Sequence, residues 1–286
     1  MFGYRSDGKK LKNVDPIIRL TSYIMPHRND AQVELVKDIK CEGMDNFIKE
    51  KIEQGIKYNY MHIVIASVIR MMAERPRLNR FVMKGRVYAR KKIYISFAVK
   101  KHLDDDADET TIKLGFSGHE SIFDIKQMID EEIAKANVVK EETKTDALAK
   151  KLLRLPHFIL SPAVGTLKMM DRNGILPKSV LEASPFHTSC FVTNMKSIGT
   201  EHLFHHIYNF GTTTIFVGMG KEKMEAVVNM DGQIVPEKIM KLGLVIDERI
   251  CDGFYYAKSL KLGVKYMQNP SLLEERLETV PLDPDL

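Results

Sequence analysis

Residues 241–260, KLGLVIDERICDGFYYAKSL, decide how the rest of the chain is interpreted. Alternating apolar residues up to Ile246 predict a half-buried strand. A charged turn at 247–249 follows, and Asp252 is placed to cap the next predicted helix, 253–263. Polar residues at the end of a buried strand are a typical position for a functional site, but a surface turn before a capped helix explains the same pattern.

The composition excludes several classes of function. Of the 286 residues, 44% are hydrophobic and 28% are charged, and no run approaches the ~18 apolar residues of a membrane helix. The polar N-terminus has no apolar signal segment, so we predict a soluble, cytoplasmic protein without a membrane partner. The net charge of +5 is spread along the chain, whereas a nucleic-acid surface concentrates basic residues. We therefore predict no nucleic-acid partner.

No metal site is predicted. The 3 cysteines are odd in number and far apart, which argues against a disulfide framework and a zinc site. His202, His205 and His206 would place two imidazoles on one face of a helix, a spacing that suits metal ligands. Only Glu201 accompanies them, so we interpret them as structural or surface histidines. A general base supplied by one of the three is kept as an alternative.

The order of patterns predicts an α/β protein. Its fold is expected to be a two-layer sandwich, with a mixed, largely antiparallel sheet packed by helices, because hairpins such as the one around Asp231-Gly232 come late in the chain. We predict an arm at 1–15, one catalytic domain at 16–268 with a lid or insertion at 152–186, and a tail at 269–286. Strands are predicted at 31–41, 81–87, 92–99, 110–116, 187–195, 212–219, 222–229 and 234–247, and helices at 43–55, 57–75, 119–151 and 253–263.

The turn after residue 246 resembles a motif of the chloramphenicol acetyltransferase-like superfamily. The catalytic domains of the 2-oxoacid dehydrogenase dihydrolipoyl acyltransferases carry Asp-His-Arg-x-x-Asp-Gly near their C-terminus, and chloramphenicol acetyltransferase shares its His-x-x-x-Asp-Gly part. This chain matches at Asp247, Arg249, Asp252 and Gly253. Glu248 stands where the family has its catalytic histidine.

Three other segments support this resemblance. Residues 62–81 are similar to the family's buried helix and the Pro-x-Leu-Asn turn after it, and residues 94–101 to the strand that follows. Residues 189–220 resemble the family's Ser-Asn-Leu-Gly region and the strand beyond it. The resemblance covers roughly 16–266 and is weakest over 104–186.

The resemblance implies a coenzyme A-dependent acyltransferase that works as a homotrimer, with sites at the subunit interfaces. Acyl-CoA would be the donor, and a small thiol, hydroxyl or amine the acceptor. By position, Glu248 would be the base, Thr193 the hydroxyl that stabilises the oxyanion, and Asp252 the aspartate of the motif, with Arg28 as its partner. The chain has no lipoyl-type domain ahead of this fold, so we expect a stand-alone protein.

The change from histidine to glutamate leaves two hypotheses open. Histidine, with an ordinary pKa near ~6.5, suits general base catalysis at neutral pH, whereas a glutamate near ~4.3 is a weaker base. Burial can raise a glutamate pKa into the useful range, so Glu248 would then be a base of altered strength. Alternatively, the chain is a catalytically inactive binding or scaffold protein on the same trimeric fold.

Overall fold

The computed structural model describes residues 5–100, 109–138, 150 and 153–286. Strands and helices are intermixed along the chain, and short 3-10 turns connect several of them. The strands are β1 (Gly8–Lys10), β2 (Gln32–Lys40), β3 (Arg80–Met83), β4 (Arg86–Arg90), β5 (Ile93–Lys100), β6 (Glu109–Phe116), β7 (Cys190–Asn194), β8 (Ile215–Met219), β9 (Lys223–Val228) and β10 (Ile234–Asp247). The helices are α1 (Pro16–Ile24), α2 (Glu42–Glu53), α3 (Tyr60–Glu74), α4 (Ile122–Val138), α5 (His157–Asn173), α6 (Lys178–Ala183) and α7 (Gly253–Gln268).

The main sheet has the order β2-β10-β8-β7-β5-β6, and β9 also pairs with β10. Strand β7 runs parallel to both of its neighbours, β5 and β8, whereas the other pairs are antiparallel. The long strand β10 pairs with β9 in its first half, and with β2 and β8 in its second half. A smaller sheet has the order β1-β4-β3. The predicted fold class, a mixed, largely antiparallel sheet packed by helices, is confirmed.

Helix α3 is the centre of the core. It begins at Asn59, whose side chain accepts the backbone N–H of His62, and it ends just before Pro76, as the sequence predicted. Nearly all of its side chains are buried, because the helix lies between the main sheet and helices α4 and α7. Apolar residues on one face of the strands, such as Val192 and Leu244, complete the same cluster.

The opposite face of the main sheet is covered in its middle by a segment without regular structure, residues 201–210, which we call the covering segment. Ile207 of this segment packs on Phe216 and Val245. Two strand glycines let its backbone approach closely, since a Cβ at Gly218 or Gly243 would lie 2.5 or 2.2 Å from the Leu203 carbonyl oxygen.

The structure differs from the sequence-based expectation in the small sheet. Residues 81–87 were expected to be one strand, but Lys84 and Gly85, with φ of 50° and 68°, turn the chain between β3 and β4. Lys84 and Gly85 interrupt the apolar residues of this stretch, and a glycine in a two-residue hairpin turn is a signal that the sequence-based expectation missed. Residues 8–10, inside the expected arm, form β1 and pair with β4.

The C-terminal tail packs on the domain. Arg80 is fully buried and pairs with Asp283 at 2.6 Å and with Asp285 at 2.6 Å, both within the predicted tail. The segment 152–186, which was predicted to be a lid or insertion, contains α5 and α6, and the predicted helix 119–151 corresponds to α4 as far as residue 138. The remainder of that predicted helix is mostly outside the described residues. No helix in the described ranges is long and apolar enough to cross a membrane.

Candidate functional site

A buried ion pair sets the shape of the turn after β10. Nε and Nη2 of Arg249 donate to the two carboxylate oxygens of Asp247 at 2.8 and 2.7 Å, and the backbone N–H of Arg249 donates to the same carboxylate at 3.1 Å. Nη1 of Arg249 also donates to the carbonyl of Met25 at 3.0 Å, which ties the turn to the end of α1. Both charged side chains are buried, so each supplies hydrogen bonds that the other loses with its contact to water.

This arrangement leaves Glu248 at the apex of the turn. Its backbone N–H donates to the carbonyl of Ala31 at 3.0 Å, while its side chain is exposed. The carboxylate has no hydrogen-bond or ion-pair partner among the residues that the structure describes. Glu248 is therefore held by its neighbours but is itself free to interact with a ligand or with another chain.

Asp252 and Gly253 begin helix α7. The Asp252 carboxylate accepts the backbone N–H of Tyr255 at 2.8 Å, so it is the N-cap of this helix. Both residues are exposed, and a Cβ at Gly253 would meet nothing within 4 Å. Within one chain, neither the backbone conformation nor the available space requires a glycine at position 253.

Arg28 does not reach Asp252 in this chain. Its guanidinium is buried and donates to backbone carbonyls, with Nη1 at 2.9 Å from that of Asn209 and Nη2 at 3.4 Å from that of Val82. Burial lowers the pKa of the Arg28 guanidinium to about 10, so it remains a cation at neutral pH. Arg28 thus holds the covering segment and the small sheet together. Within this chain it does not pair with Asp252, the partner that the resemblance implied.

Thr193 lies near the end of β7, far from Glu248. Its side chain is partly buried, and among the described residues its hydroxyl contacts only the Met195 sulfur, at 3.9 Å. Thr193 is level with Gly218 in β8, which is level with Gly243 in β10. Glu248 is five residues further along, so at ~3.3 Å per residue and ~4.8 Å per strand the two residues are on the order of 20 Å apart. The chain alone does not bring them together.

The three histidines lie on the covering segment and not on a helix. His205 stacks on Phe216 with ring centroids 4.4 Å apart, and its Nδ1 is 2.9 Å from the carbonyl of His206. Within the described ranges, no three His, Cys, Asp or Glu residues form a group that could hold a metal ion. His202 has a buried Nδ1 without a hydrogen-bond partner there.

The cysteines are free and buried. Burial raises the pKa of the Cys251 thiol to about 12 and that of the Cys190 thiol still further. Because the thiolate is the reactive form, these residues are inert packing groups at neutral pH.

Sequence reasoning missed a buried polar network. The Asp171 carboxylate accepts hydrogen bonds from Nη1 of Arg5 at 2.8 Å and from Nε2 of His187 at 2.9 Å. It also accepts from the backbone N–H of Gly211 at 3.0 Å. The hydroxyl of Ser184 lies 2.8 Å from Nδ1 of the same histidine. Burial lowers the histidine pKa. Burial alone would raise the pKa of Asp171, but the histidine hydrogen bond and the arginine charge outweigh it and lower this pKa. Arg5 and Asp171 are 166 positions apart in the sequence, so no local spacing signals the network.

The comparisons with known proteins agree with the fold. Residues 178–274 match the family described as 2-oxoacid dehydrogenases acyltransferase (catalytic domain). Among curated protein sequences, the chain finds no match. The likeness to solved structures, in contrast, extends over almost the whole chain.

Three solved structures illustrate that likeness. A probable dihydrolipoamide acetyltransferase from Listeria monocytogenes is 17% identical, with a TM-score of 0.57 over 96% of this chain and 99% of that one. The dihydrolipoamide acetyltransferase of Azotobacter vinelandii is 16% identical, with a TM-score of 0.58 over 92% and 93%. A chloramphenicol acetyltransferase is 12% identical, with a TM-score of 0.54 over 92% and 98%.

These likenesses confirm the resemblance that the sequence predicted. The chain has the fold shared by dihydrolipoamide acetyltransferase and chloramphenicol acetyltransferase, and its residues 178–274 match the 2-oxoacid dehydrogenase acyltransferase catalytic domain.

Proposed function

We propose that this protein is a coenzyme A-dependent acyltransferase that moves an acyl group from acyl-CoA to a small thiol, hydroxyl or amine. The observation that carries the proposal is the buried Asp247–Arg249 ion pair, which presents an exposed Glu248 at the place of the family's catalytic histidine. The names of the similar structures support the reaction class, since they describe acetyltransferases.

The chemistry assigns a separate step to each residue. The Glu248 carboxylate takes the proton from the acceptor as the acceptor attacks the acyl carbonyl carbon. The hydroxyl of Thr193 donates a hydrogen bond to the oxyanion of the tetrahedral intermediate. When the intermediate collapses, the bond to the sulfur of coenzyme A breaks, and the departing thiolate recovers the proton from Glu248.

The active site then requires a second copy of the chain, because Thr193 and Glu248 are on the order of 20 Å apart within one chain. We propose a homotrimer in which Glu248 of one subunit faces Thr193 of the next. Exposed apolar side chains support an assembly, since contiguous apolar surface on a protein usually marks an interface. Ile17 and Ile24 of α1 are each 70% exposed, and Ile234 at the β9–β10 hairpin is 75% exposed.

The first test is binding of coenzyme A and acetyl-CoA to the purified protein, measured by calorimetry. Clear binding is expected, and acyl-CoA turnover should follow once an acceptor is supplied. Absence of binding would contradict the enzyme assignment.

Mixing two inactive variants tests the shared site. Glu248→Gln and Thr193→Ala should each lose turnover, while Thr193→Ser, which keeps the hydroxyl, should retain it. Reassembled together, the two inactive variants should recover about a quarter of the wild-type rate, since random assembly gives that share of intact interfaces. No recovery, with reassembly verified, would show that the two residues do not act across subunits.

A catalytically inactive binding or scaffold protein on the same trimeric fold is the alternative. It is favoured by the carboxylate of Glu248 in place of an imidazole, and by the exposure of that carboxylate in the single chain. The alternative predicts that wild-type protein binds coenzyme A without turnover, and that Glu248→His creates activity.

A further inference from the structure

A cavity of ≈ 720 Å³ lies beside the turn that carries Arg249. Its walls are the end of α1, the β3–β4 turn, the last part of α5 and residues 208–212. This volume lies within the ~300–1,000 Å³ range typical of small-molecule sites. None of the residues that we assign to catalysis lines it.

The floor of the cavity contains a buried cation with unmet hydrogen-bonding capacity. Arg28 is only 6% exposed, and its Nε has no acceptor among the described residues. The described part of the chain also gives it no ion-pair partner. Thr212, another residue of the floor, has a buried hydroxyl without a hydrogen-bond partner there. An unmet buried polar group destabilises the protein, so a ligand that bonded to these groups would be favoured.

The rim adds further positive charge. Lys84, Lys168 and Arg172 are exposed at the mouth of the cavity, and none of them forms an ion pair with a described carboxylate. Lys84 donates to the amide oxygen of Asn173 at 2.9 Å. A concave site lined by charges of one sign attracts ligands of the opposite sign.

The acidic residue of the lining does not cancel this charge. Asp171 is already bonded through both oxygens, to Arg5 and His187 through one and to the backbone of Gly211 through the other. Arg249, which also lines the cavity, is paired with Asp247. The unpaired cations of the floor and the rim therefore dominate the field inside.

Part of the remaining wall is apolar or aromatic. Val82 and Met83 come from the small sheet, and Tyr208 and Phe210 come from the covering segment. We propose that this cavity binds a small organic anion, whose carboxylate or phosphate contacts Arg28 and the rim cations and whose apolar part lies against the aromatic wall. The proposal concerns binding alone and does not depend on acyl transfer.

Calorimetric titration of phenyl phosphate and phenylacetate, with phenethyl alcohol as the neutral control, tests the proposal on the full chain. A second arm compares coenzyme A with pantetheine, which lacks both the phosphates and the adenosine of coenzyme A. With the rim variant below, it separates a free anion from the phosphates of coenzyme A. We expect at least one anionic probe to bind, the neutral control not to bind, and the affinity to fall as salt is raised.

Charge reversal on the rim supplies the decisive comparison. Lys168→Glu combined with Arg172→Glu should weaken the binding of that anionic probe about tenfold or more, which corresponds to ~1.4 kcal/mol. The matched control is Lys258→Glu with Lys261→Glu, an equal charge change on exposed residues of α7 that do not line the cavity, and it should not alter the affinity. All four positions are exposed, so both variants are expected to fold.

Each outcome decides the proposal. Loss of phenyl phosphate or phenylacetate binding in the rim variant alone supports a free small anion as the occupant. Binding of coenzyme A but not pantetheine, lost in the rim variant alone, supports the same site with the phosphates of coenzyme A as the occupant. If no anionic probe binds, or if the rim and control variants bind equally well, the proposal is overturned.

Discussion

The Asp247 carboxylate and the Arg249 guanidinium form a two-point ion pair, two residues apart, with the exposed Glu248 between them. Removing one partner of a buried ion pair leaves an uncompensated charge and typically costs ~3–5 kcal/mol. We therefore expect Arg249→Met to lower the free energy of unfolding by about that amount, as measured by urea denaturation.

A double-mutant cycle separates the pair from its surroundings. Asp247→Asn with Arg249→Met removes both charges, so its cost should be well below the sum of the two single changes. Additive costs would mean that the two side chains do not stabilise each other.

Glu248 should control the pH dependence of turnover. Glu248→Gln cannot accept a proton, and loss of a general base typically lowers the rate by ~10²–10⁴. Glu248→His should keep turnover and move the acidic limb of the pH–rate profile toward ~6.5, the ordinary imidazole pKa. The measurement is kcat/KM against pH for the wild type and both variants. Equal profiles for the wild type and Glu248→Gln would rule out a proton-transfer role.

Asp252 should act through the helix that it caps. Asp252→Ala removes the acceptor for the N–H of Tyr255, and loss of an N-cap costs ~1 kcal/mol. Asp252→Asn keeps a capping oxygen, so its stability and turnover should stay close to wild type. A large loss of turnover in the asparagine variant at unchanged stability would instead mean that the negative charge of Asp252 is used in the site.

The main sheet and its helices were predictable because their signals are local. Apolar alternation up to Ile246 and the apolar helix ending before Pro76 depend on neighbouring residues in the sequence, and both elements formed as predicted. The Asp-Gly turn near residue 232 likewise predicted the β9–β10 hairpin. The interpretation of the turn at 247–253 as a family motif rests on the family resemblance, not on periodicity, and it stays a prediction.

The cavity and the buried network were not predictable in this way. Arg28 and Arg172 are brought to one cavity from parts of the chain that share no pattern. Arg5 meets Asp171 because β1 joins the small sheet, whereas residues 1–15 were predicted to form only an arm. Partners this distant become visible only once the tertiary fold is known.

Lys113 should make stability depend on pH. Burial, followed by the nearby positive charge of Arg90, lowers the pKa of this amine to about 7, while its Nζ donates to the carbonyls of Leu181 and Ser184 at 2.7 and 3.1 Å. The unfolded chain, with an ordinary pKa near ~10.4, binds this proton more tightly than the folded chain does. The contribution of Lys113 to stability therefore rises with pH between about 7 and 10, by roughly 1 kcal/mol per unit.

The difference between wild type and Lys113→Met isolates this effect from other titrating groups. The free energy of unfolding of each protein is measured by denaturation at several pH values between ~7 and ~9. The free energy of unfolding of the wild type minus that of Lys113→Met should increase as pH rises. The same difference for Lys49→Met, at an exposed position of α2, should not change with pH. A constant difference between wild type and Lys113→Met would mean that the amine stays protonated in the folded state.

Two glycines should respond in opposite ways to alanine. A Cβ at Gly243 would lie 2.2 Å from the carbonyl oxygen of Leu203, so Gly243→Ala must displace the covering segment and should destabilise the protein by ~1–3 kcal/mol. A Cβ at Gly253 meets nothing within 4 Å, and Gly253→Ala should be neutral or stabilise the first turn of α7 by ~0.4–1 kcal/mol. Thermal and urea unfolding of both variants measure these effects. If Gly253→Ala keeps its stability but loses turnover, the glycine of the motif is needed in the assembled site. The reason would be that another subunit or the substrate approaches position 253 more closely than the described residues of its own chain do.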